Sequence, residues 1–265
     1  MIVRDPPPPI FEPSESRYGG LIDPPRPWPL ATHPVWDLPI EDAVLVTCFF
    51  NPSGYSRPVH NLGAFLDWCL GERWPVCAAE LTFHSQMPIL PHSHDRVSRF
   101  RLGEDGIMFQ KEALLSAAVA SLPERVRKVI LVDCDVVPAS GRQYAEAVQK
   151  LDEVAMVQPF SEAIWTQPNG AAWARKRSTA WAVTTPDPQP EALRPEAFHP
   201  GFAVALRREF FEVVGPLYGC PITGSGDVAL WQAALVPLAA PGLDGRPIYT
   251  VPAPRVWRDK VAAWV

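Results

Sequence analysis

No stretch of this chain approaches the roughly 18 to 20 uninterrupted apolar residues that a bilayer-spanning helix needs. Its amino terminus carries acidic residues and prolines where a signal peptide has an apolar run. The expectation is a soluble protein with no transmembrane segment, retained in the cytoplasm. Basic excess is also missing. With a net charge of −5 and a pI near 5.7, the chain has no broad surface suited to displacing counterions from nucleic acid, so any phosphate contact has to be local. Cysteine is sparse and unpatterned: Cys48, Cys69, Cys77, Cys134 and Cys220 form an odd set without a C-x-x-C pair, which argues against a disulfide framework and for a reducing compartment. Histidine is scarce, and none follows His199. The His92-Ser93-His94-Asp95 run lacks the H-x-H-x-D spacing of hydrolase metal clusters and reads as a polar loop.

Proline and apolar residues are abundant. Among 32 prolines, Pro6 to Pro9, Pro13, Pro24, Pro25, Pro27, Pro29 and Pro34 crowd the start. Proline fixes φ and removes backbone donors, so residues 1–40 read as an extended arm and the folded domain as 41–265. Hydrophobic residues make up 47% of the 265, ample for one large core. Residues 43–50 read as a strand broken by Asn51-Pro52-Ser53-Gly54, and 57–70 as a helix on the Leu62, Phe65, Leu66 and Cys69 stripe. Strands follow at 75–83 and 97–102, then a helix over 106–122 whose face carries Met108, Leu115, Val119 and Leu122. Beyond the strand at 129–132 come a helix over 141–152 and a strand at 154–158. The aperiodic segment 159–198 reads as an elaborated loop, followed by a strand at 201–206, a helix over 207–214 and a helix starting near Asp227. Such alternation of strand and helix is the pattern of a three-layer α/β domain.

The strand Val129-Ile130-Leu131-Val132 runs directly into Asp133-Cys134-Asp135. In open α/β sheets ligands bind beyond the carboxyl ends of the strands, which is where these carboxylates fall. Either or both suit a hard divalent cation, which in turn would neutralise a diphosphate. The alternative is an Asx turn or the cap of the next helix. Gly224-Ser225-Gly226-Asp227 is a second candidate: its glycines permit positive φ and close approach of a ligand, while Asp227 stands at a helix start, where a carboxylate is also a plain cap.

Taken together, the strand ending in Asn51-Pro52, the Lys111-Glu112-Ala113-Leu114-Leu115 helix, the VILVDCD strand, Gln158-Pro159-Phe160, the GFAVALRR strand and the GSGD turn resemble the GT-A class of nucleotide-sugar-dependent glycosyltransferases over residues 43–235. That resemblance implies a Rossmann-like mixed sheet flanked by helices. It also implies a Mn²⁺ or Mg²⁺ ion on Asp133 and Asp135, with Asp135 the more direct ligand and Asp133 nearer the ribose or bound through water. The donor would be a nucleoside diphosphate sugar carrying a hexose-type unit, and the acceptor a hydroxyl of a glycan, a lipid-linked sugar or a protein. The donor-binding residues it suggests are Asn51, Arg57, Glu80, Lys111, Asp133, Gly201, Phe202, Gly224 and Gly226. Asp227 would act at the acceptor hydroxyl as general base, with Trp165, Trp173 and Trp181 as acceptor platforms. Each has a plainer alternative: Asn51 a turn former, Glu80 a solvated strand end, Lys111 a solvated helix residue, Gly201 and Phe202 close packing in a core strand. Trp68, Trp74 and Trp231 fall where core packing is the default.

One feature departs from the family. Many metal-dependent members supply a further ligand, commonly histidine, beyond the acidic turn, so here the ion would rest on D-x-D, phosphates and water, or further chain would have to supply the ligand, or activity would be impaired. The apolar residues of 256–265 also suggest surface in need of cover. Two other readings stay open: a sugar-phosphate nucleotidyltransferase, for which the 51–57 loop is poor in glycine and basic residues, and a non-catalytic carbohydrate-binding protein of the same fold.

Overall fold

The computed structural model describes residues 3–4, 42–83, 86–90, 97–102, 110–167, 169–185, 198–219, 224–235 and 253–265. The rest of the proline-rich arm, the His92 to Asp95 run and Cys220 lie outside the described residues.

A seven-stranded sheet forms the centre, in the order β1-β4-β3-β2-β5-β9-β6. Its parallel part consists of β2 (Ala43–Phe50), β3 (Val76–Phe83), β4 (Val97–Leu102) and β5 (Lys128–Val132). Next to β5, β9 (Ala203–Arg207) runs antiparallel, and the short β6 (Met156–Val157) pairs antiparallel with β9. The two-residue β1 (Val3–Arg4) adds antiparallel to the outer edge of β4, the sheet position open to a chain rich in proline.

Strand alternation sorts the apolar side chains onto two faces, each covered by helices. Val44, Val46 and Cys48 of β2, Val129 and Leu131 of β5, and Val204 and Leu206 of β9 face α2 (Lys111–Ala120), α5 (Glu209–Val213), α6 (Gly226–Ala234) and α7 (Arg255–Trp264). Ala43, Leu45, Ile130, Val132, Ala203 and Ala205 face α1 (Ser56–Gly71) and α3 (Arg142–Lys150). The expected three-layer α/β architecture, a mixed sheet flanked by helices, is the one observed. Buried aliphatic and aromatic side chains of this kind each contribute roughly 1.5–3 kcal/mol. Trp74 and Trp231 are core residues, 1% and 4% exposed.

Residues 159–198 depart from the expected aperiodic loop. They hold a separate antiparallel hairpin, β7 (Glu162–Thr166) with β8 (Ala172–Arg177), and the short helix α4 (Thr179–Thr184), capped by Ser178, whose hydroxyl accepts from the Trp181 N–H. The apolar residues near the chain end are covered in part, while Val256 and Val265 stay exposed. Val261 is fully buried, Trp264 packs edge-on against Phe210, and the Trp257 indole N–H donates to the Pro216 carbonyl.

Candidate active site

At the carboxyl end of β5 the parity of the strand decides which carboxylate faces which layer. Val129 and Leu131 point towards α2, so Asp133 continues on that side, while Cys134 packs on the opposite face. The chain then turns, with the Val136 N–H donating to the Asp133 carbonyl, and the extended i, i+2 relationship between Asp133 and Asp135 is lost. Asp133 enters a cleft shared by Lys111, Glu112, Gly201, Phe202, Gly226 and Asp227. Counted out to its open mouth, this space is about 420 Å³. Asp135 does not line it and is exposed on the adjoining turn.

Lys111, the first residue of α2, brings its ammonium Nζ to 2.5 Å from Asp133 Oδ1. Burial works against that positive charge, but the nearby Asp133 and Asp227 carboxylates outweigh it and hold the ammonium above its ordinary pKa. The Asp135 pKa is raised as well: partial desolvation of its carboxyl is the leading cause, and the negative charge of Asp133 adds to it.

Glu112, the second residue of α2, is only 5% exposed and lines the same cleft. Burial raises its carboxyl above the usual range, its own backbone N–H and the Lys111 charge oppose the rise, and the Asp227 and Asp133 charges add to it.

The opposite wall is built by residues 199–202. The Gln158 side-chain amide donates to the His199 carbonyl at 2.9 Å and the Pro200 carbonyl at 3.2 Å, while its oxygen accepts from the Ala180 N–H. The Trp231 indole N–H donates to the Pro200 carbonyl at 2.9 Å. So clamped, the turn presents Gly201 beneath Asp227, where a β-carbon would overlap the Asp227 Oδ2 atom. Phe202 follows with φ +72°, a left-handed conformation costing a non-glycine residue about 1–3 kcal/mol. Its carbonyl accepts the Asp133 N–H at 2.9 Å, tying the strained residue to the D-x-D strand. His199 Nδ1 accepts the Gly201 N–H, and burial, the leading influence, lowers the pKa of its ring. The ring lies 3.9 Å from that of Phe202, and Trp165 stands about 5 Å from both, closing one side of the site with aromatic faces.

In the acidic turn, Gly224 and Ser225 have φ of +96° and +78°. Gly226 is glycine for a different reason than expected: its φ is ordinary, but a β-carbon would fall on the Glu112 side chain. Asp227 Oδ1 accepts the Val228 N–H at 2.8 Å and Asp227 lines the cleft.

The cleft thus brings together Lys111, Asp133, Gly201, Phe202, Gly226 and Asp227, and leaves other expected residues elsewhere. Glu80 does not line the cleft and is not a solvated strand end. It is 1% exposed, and its carboxylate accepts the N–H groups of Ile89 at 2.6 Å and Leu90 at 3.2 Å, fastening 86–90 to the sheet. The Asn51 side chain turns onto its own loop, donating to the Tyr55 carbonyl and accepting the Tyr55 N–H. Arg57 is exposed at the start of α1 and does not line the cleft. Nor does Gly224. Of the tryptophans, Trp165 joins the aromatic wall, Trp173 is 72% exposed on the hairpin, and Trp181 stacks with Phe198 under the Arg177 guanidinium. Glu112 and His199 belong to the site without having been singled out as donor or acceptor residues.

Asp133 and Asp227 bring two carboxylates beside the Lys111 ammonium in the cleft, with Asp135 on the adjoining turn, and carboxylate oxygens are the ligands that a hard cation takes. Among the described residues no three or more His, Cys, Asp or Glu side chains converge on one point, so most of the shell would fall to phosphate oxygens and water.

No family model and no curated protein matches the chain. Among solved structures it is similar to a mannosyltransferase from Pyrobaculum calidifontis in complex with GDP-Man and Mn²⁺, with 16% sequence identity and a TM-score of 0.42. The match covers 86% of this chain and 58% of that one, so the chain spans less than two thirds of that protein's length. Among the described residues no helix is long and apolar enough to cross a membrane.

Proposed function

We propose that this chain is a GT-A-type glycosyltransferase, moving a sugar from a nucleoside diphosphate sugar to an acceptor hydroxyl. The observation that carries the reading is the convergence of Lys111, Asp133 and Asp227 on one cleft at the carboxyl end of β5, with the strained Phe202 between them. In this reaction the bond from the anomeric carbon to the diphosphate oxygen breaks, its electron pair leaves with the nucleoside diphosphate, and the acceptor oxygen forms the new bond as it loses its proton. The Lys111 ammonium lies where it can share the charge that develops on the leaving diphosphate. Asp133, fixed by Lys111 and the Phe202 carbonyl, offers its remaining oxygen to a ribose or sugar hydroxyl. Asp227 takes up the acceptor proton. The Trp165, His199 and Phe202 rings complement the apolar face of a sugar. Asp133 and Asp135 would hold Mn²⁺ or Mg²⁺, and the ion would neutralise donor phosphates when bound.

The test is product release. Incubated with UDP- and GDP-sugars and with candidate glycan, lipid-linked and peptide acceptors, the protein should liberate the nucleoside diphosphate and transfer the sugar. Release of pyrophosphate from a nucleoside triphosphate and a sugar phosphate would instead identify a nucleotidyltransferase, and neither reaction together with sugar binding would leave a non-catalytic carbohydrate-binding protein.

A further inference from the structure

Glu112 is the residue of the cleft that the steps above do not use. It is 5% exposed, and its carboxyl takes a hydrogen bond from its own backbone N–H. A carboxyl offers about four acceptor positions, so one local bond leaves capacity for a ligand, and in a buried group capacity left unfilled costs free energy. Here the surroundings are shaped to keep the group in place. The first turn of α6 packs against it through Gly226, where any β-carbon would overlap Oε1, Cδ and Cγ. The polar end of Glu112 therefore lies in a slot beside the Gly226 backbone that opens on the cleft it shares with Asp133, Gly201 and Asp227.

We infer that Glu112 is a specificity-determining residue whose carboxyl hydrogen-bonds a hydroxyl of the transferred sugar, so that the donor has to be hydroxylated at the position reaching this slot. The inference rests on the glycosyl-transfer reading above. Its chemistry is complementary: a sugar hydroxyl both donates and accepts, and so satisfies a carboxyl in either protonation state, whereas Lys111 beside it serves the diphosphate. A site built to bond a hydroxyl rejects the analogue lacking it, because its own buried group is then left unpaired.

The experiment measures, by calorimetry in the presence of Mn²⁺, the affinities of UDP and GDP and of UDP-glucose, UDP-N-acetylglucosamine and GDP-mannose. It uses the wild-type protein, Glu112→Gln and Glu112→Ala, each checked for folding by thermal melting. For the base that binds, the sugar should add affinity in the wild type. Glu112→Ala should lose about tenfold or more of that increment and leave the sugar-free diphosphate within about twofold; Glu112→Gln, which keeps the shape and a hydrogen-bonding end, should lose less. Equal affinities of wild type and Glu112→Ala for the sugar nucleotides, or equal weakening of sugar-bearing and sugar-free nucleotides, would overturn the inference and leave the glycosyl-transfer reading standing. Should Glu112→Ala fail to fold, the monodeoxy sugar nucleotides decide on the wild type and Glu112→Gln. One of them has to bind the wild type at least tenfold more weakly than the parent, with the difference reduced in Glu112→Gln, and no such position overturns the inference. No nucleotide bound by the wild type would overturn both.

Discussion

Gly226 at the start of α6 and Glu112 at the start of α2 compete for the same space: a methyl group on the Gly226 α-carbon would fall on the Glu112 carboxyl, which would have to shift out of its buried position. In a helix, alanine is favoured over glycine by about 1 kcal/mol, so Gly226→Ala would stabilise an open site. Here we expect the reverse, a loss of about 1–3 kcal/mol from overpacking. Removing the obstacle in Gly226→Ala/Glu112→Ala should make the pair less destabilised than the sum of the single variants. Urea unfolding of the four proteins measures this, and strict additivity would mean that the two residues do not share the space.

The same burial gives stability a definite dependence on pH. Because the folded-state pKa of Glu112 is raised by desolvation, the folded protein holds a proton that the unfolded chain has already released, and stability falls as pH rises through that interval. Lys111, Asp133 and Asp227 are the charged groups acting on it. Glu112→Gln cannot ionise. Its melting temperature should match the wild type below the ordinary glutamate value of 4.5 and exceed it increasingly as pH rises towards neutrality. Thermal melts of the two proteins from pH 4 to 7.5 test the sign, and a difference that shrinks with rising pH would contradict it.

Much of this site was legible in the chain because strand parity is rigid. Once Val129 and Leu131 are assigned to one face, Asp133 must follow them to the α2 side, and the apolar stripe of α2 places Lys111 at the helix start facing it. The contribution of the Glu112 carboxyl was not read, although the signal was present. Glu112 lies on the stripe of Leu115 and Val119, at i+3 and i+7, so a charged residue interrupts a buried face. What buries it comes from α6, a long-range contact that local pattern does not encode. Glu80 was misread for a similar reason, since only the return of Ile89 and Leu90 over the sheet supplies its hydrogen-bond partners. The β7–β8 hairpin left little periodic trace because β8 is largely solvent-exposed and only Ala163 and Trp165 of β7 turn inwards. Asn51 illustrates a subtler limit: the residue type fitted a ligand contact, yet its amide closes its own loop.

Asp135 tests the cation. It stands exposed on the turn after β5 and contributes nothing to the core, so Asp135→Ala should melt within about 2 °C of the wild type, as surface substitutions usually do. If Asp135 helps hold Mn²⁺, the gain in nucleoside diphosphate affinity that Mn²⁺ gives the wild type over EDTA should disappear in the variant. Calorimetry with UDP and GDP under both conditions measures it, and an unchanged gain would remove Asp135 from the cation site.

Asp227 has two roles that a single substitution separates. Its Oδ1 accepts the Val228 N–H at the start of α6, a local structural bond, while the residue also lines the cleft over Gly201. Asparagine keeps the shape and the accepting oxygen, so Asp227→Asn should preserve the helix start, the melting temperature within about 2 °C and the affinity for the nucleoside diphosphate. An amide does not take up a proton at neutral pH, so the acceptor oxygen would have to attack without a base beside it, and kcat for sugar transfer should fall by about two to four orders of magnitude. The decisive comparison is transfer against donor affinity on one preparation. Near-wild-type transfer would reduce Asp227 to a helix-start residue. Parallel loss of donor affinity and transfer would move it to the donor side of the cleft, beside Lys111 and Asp133.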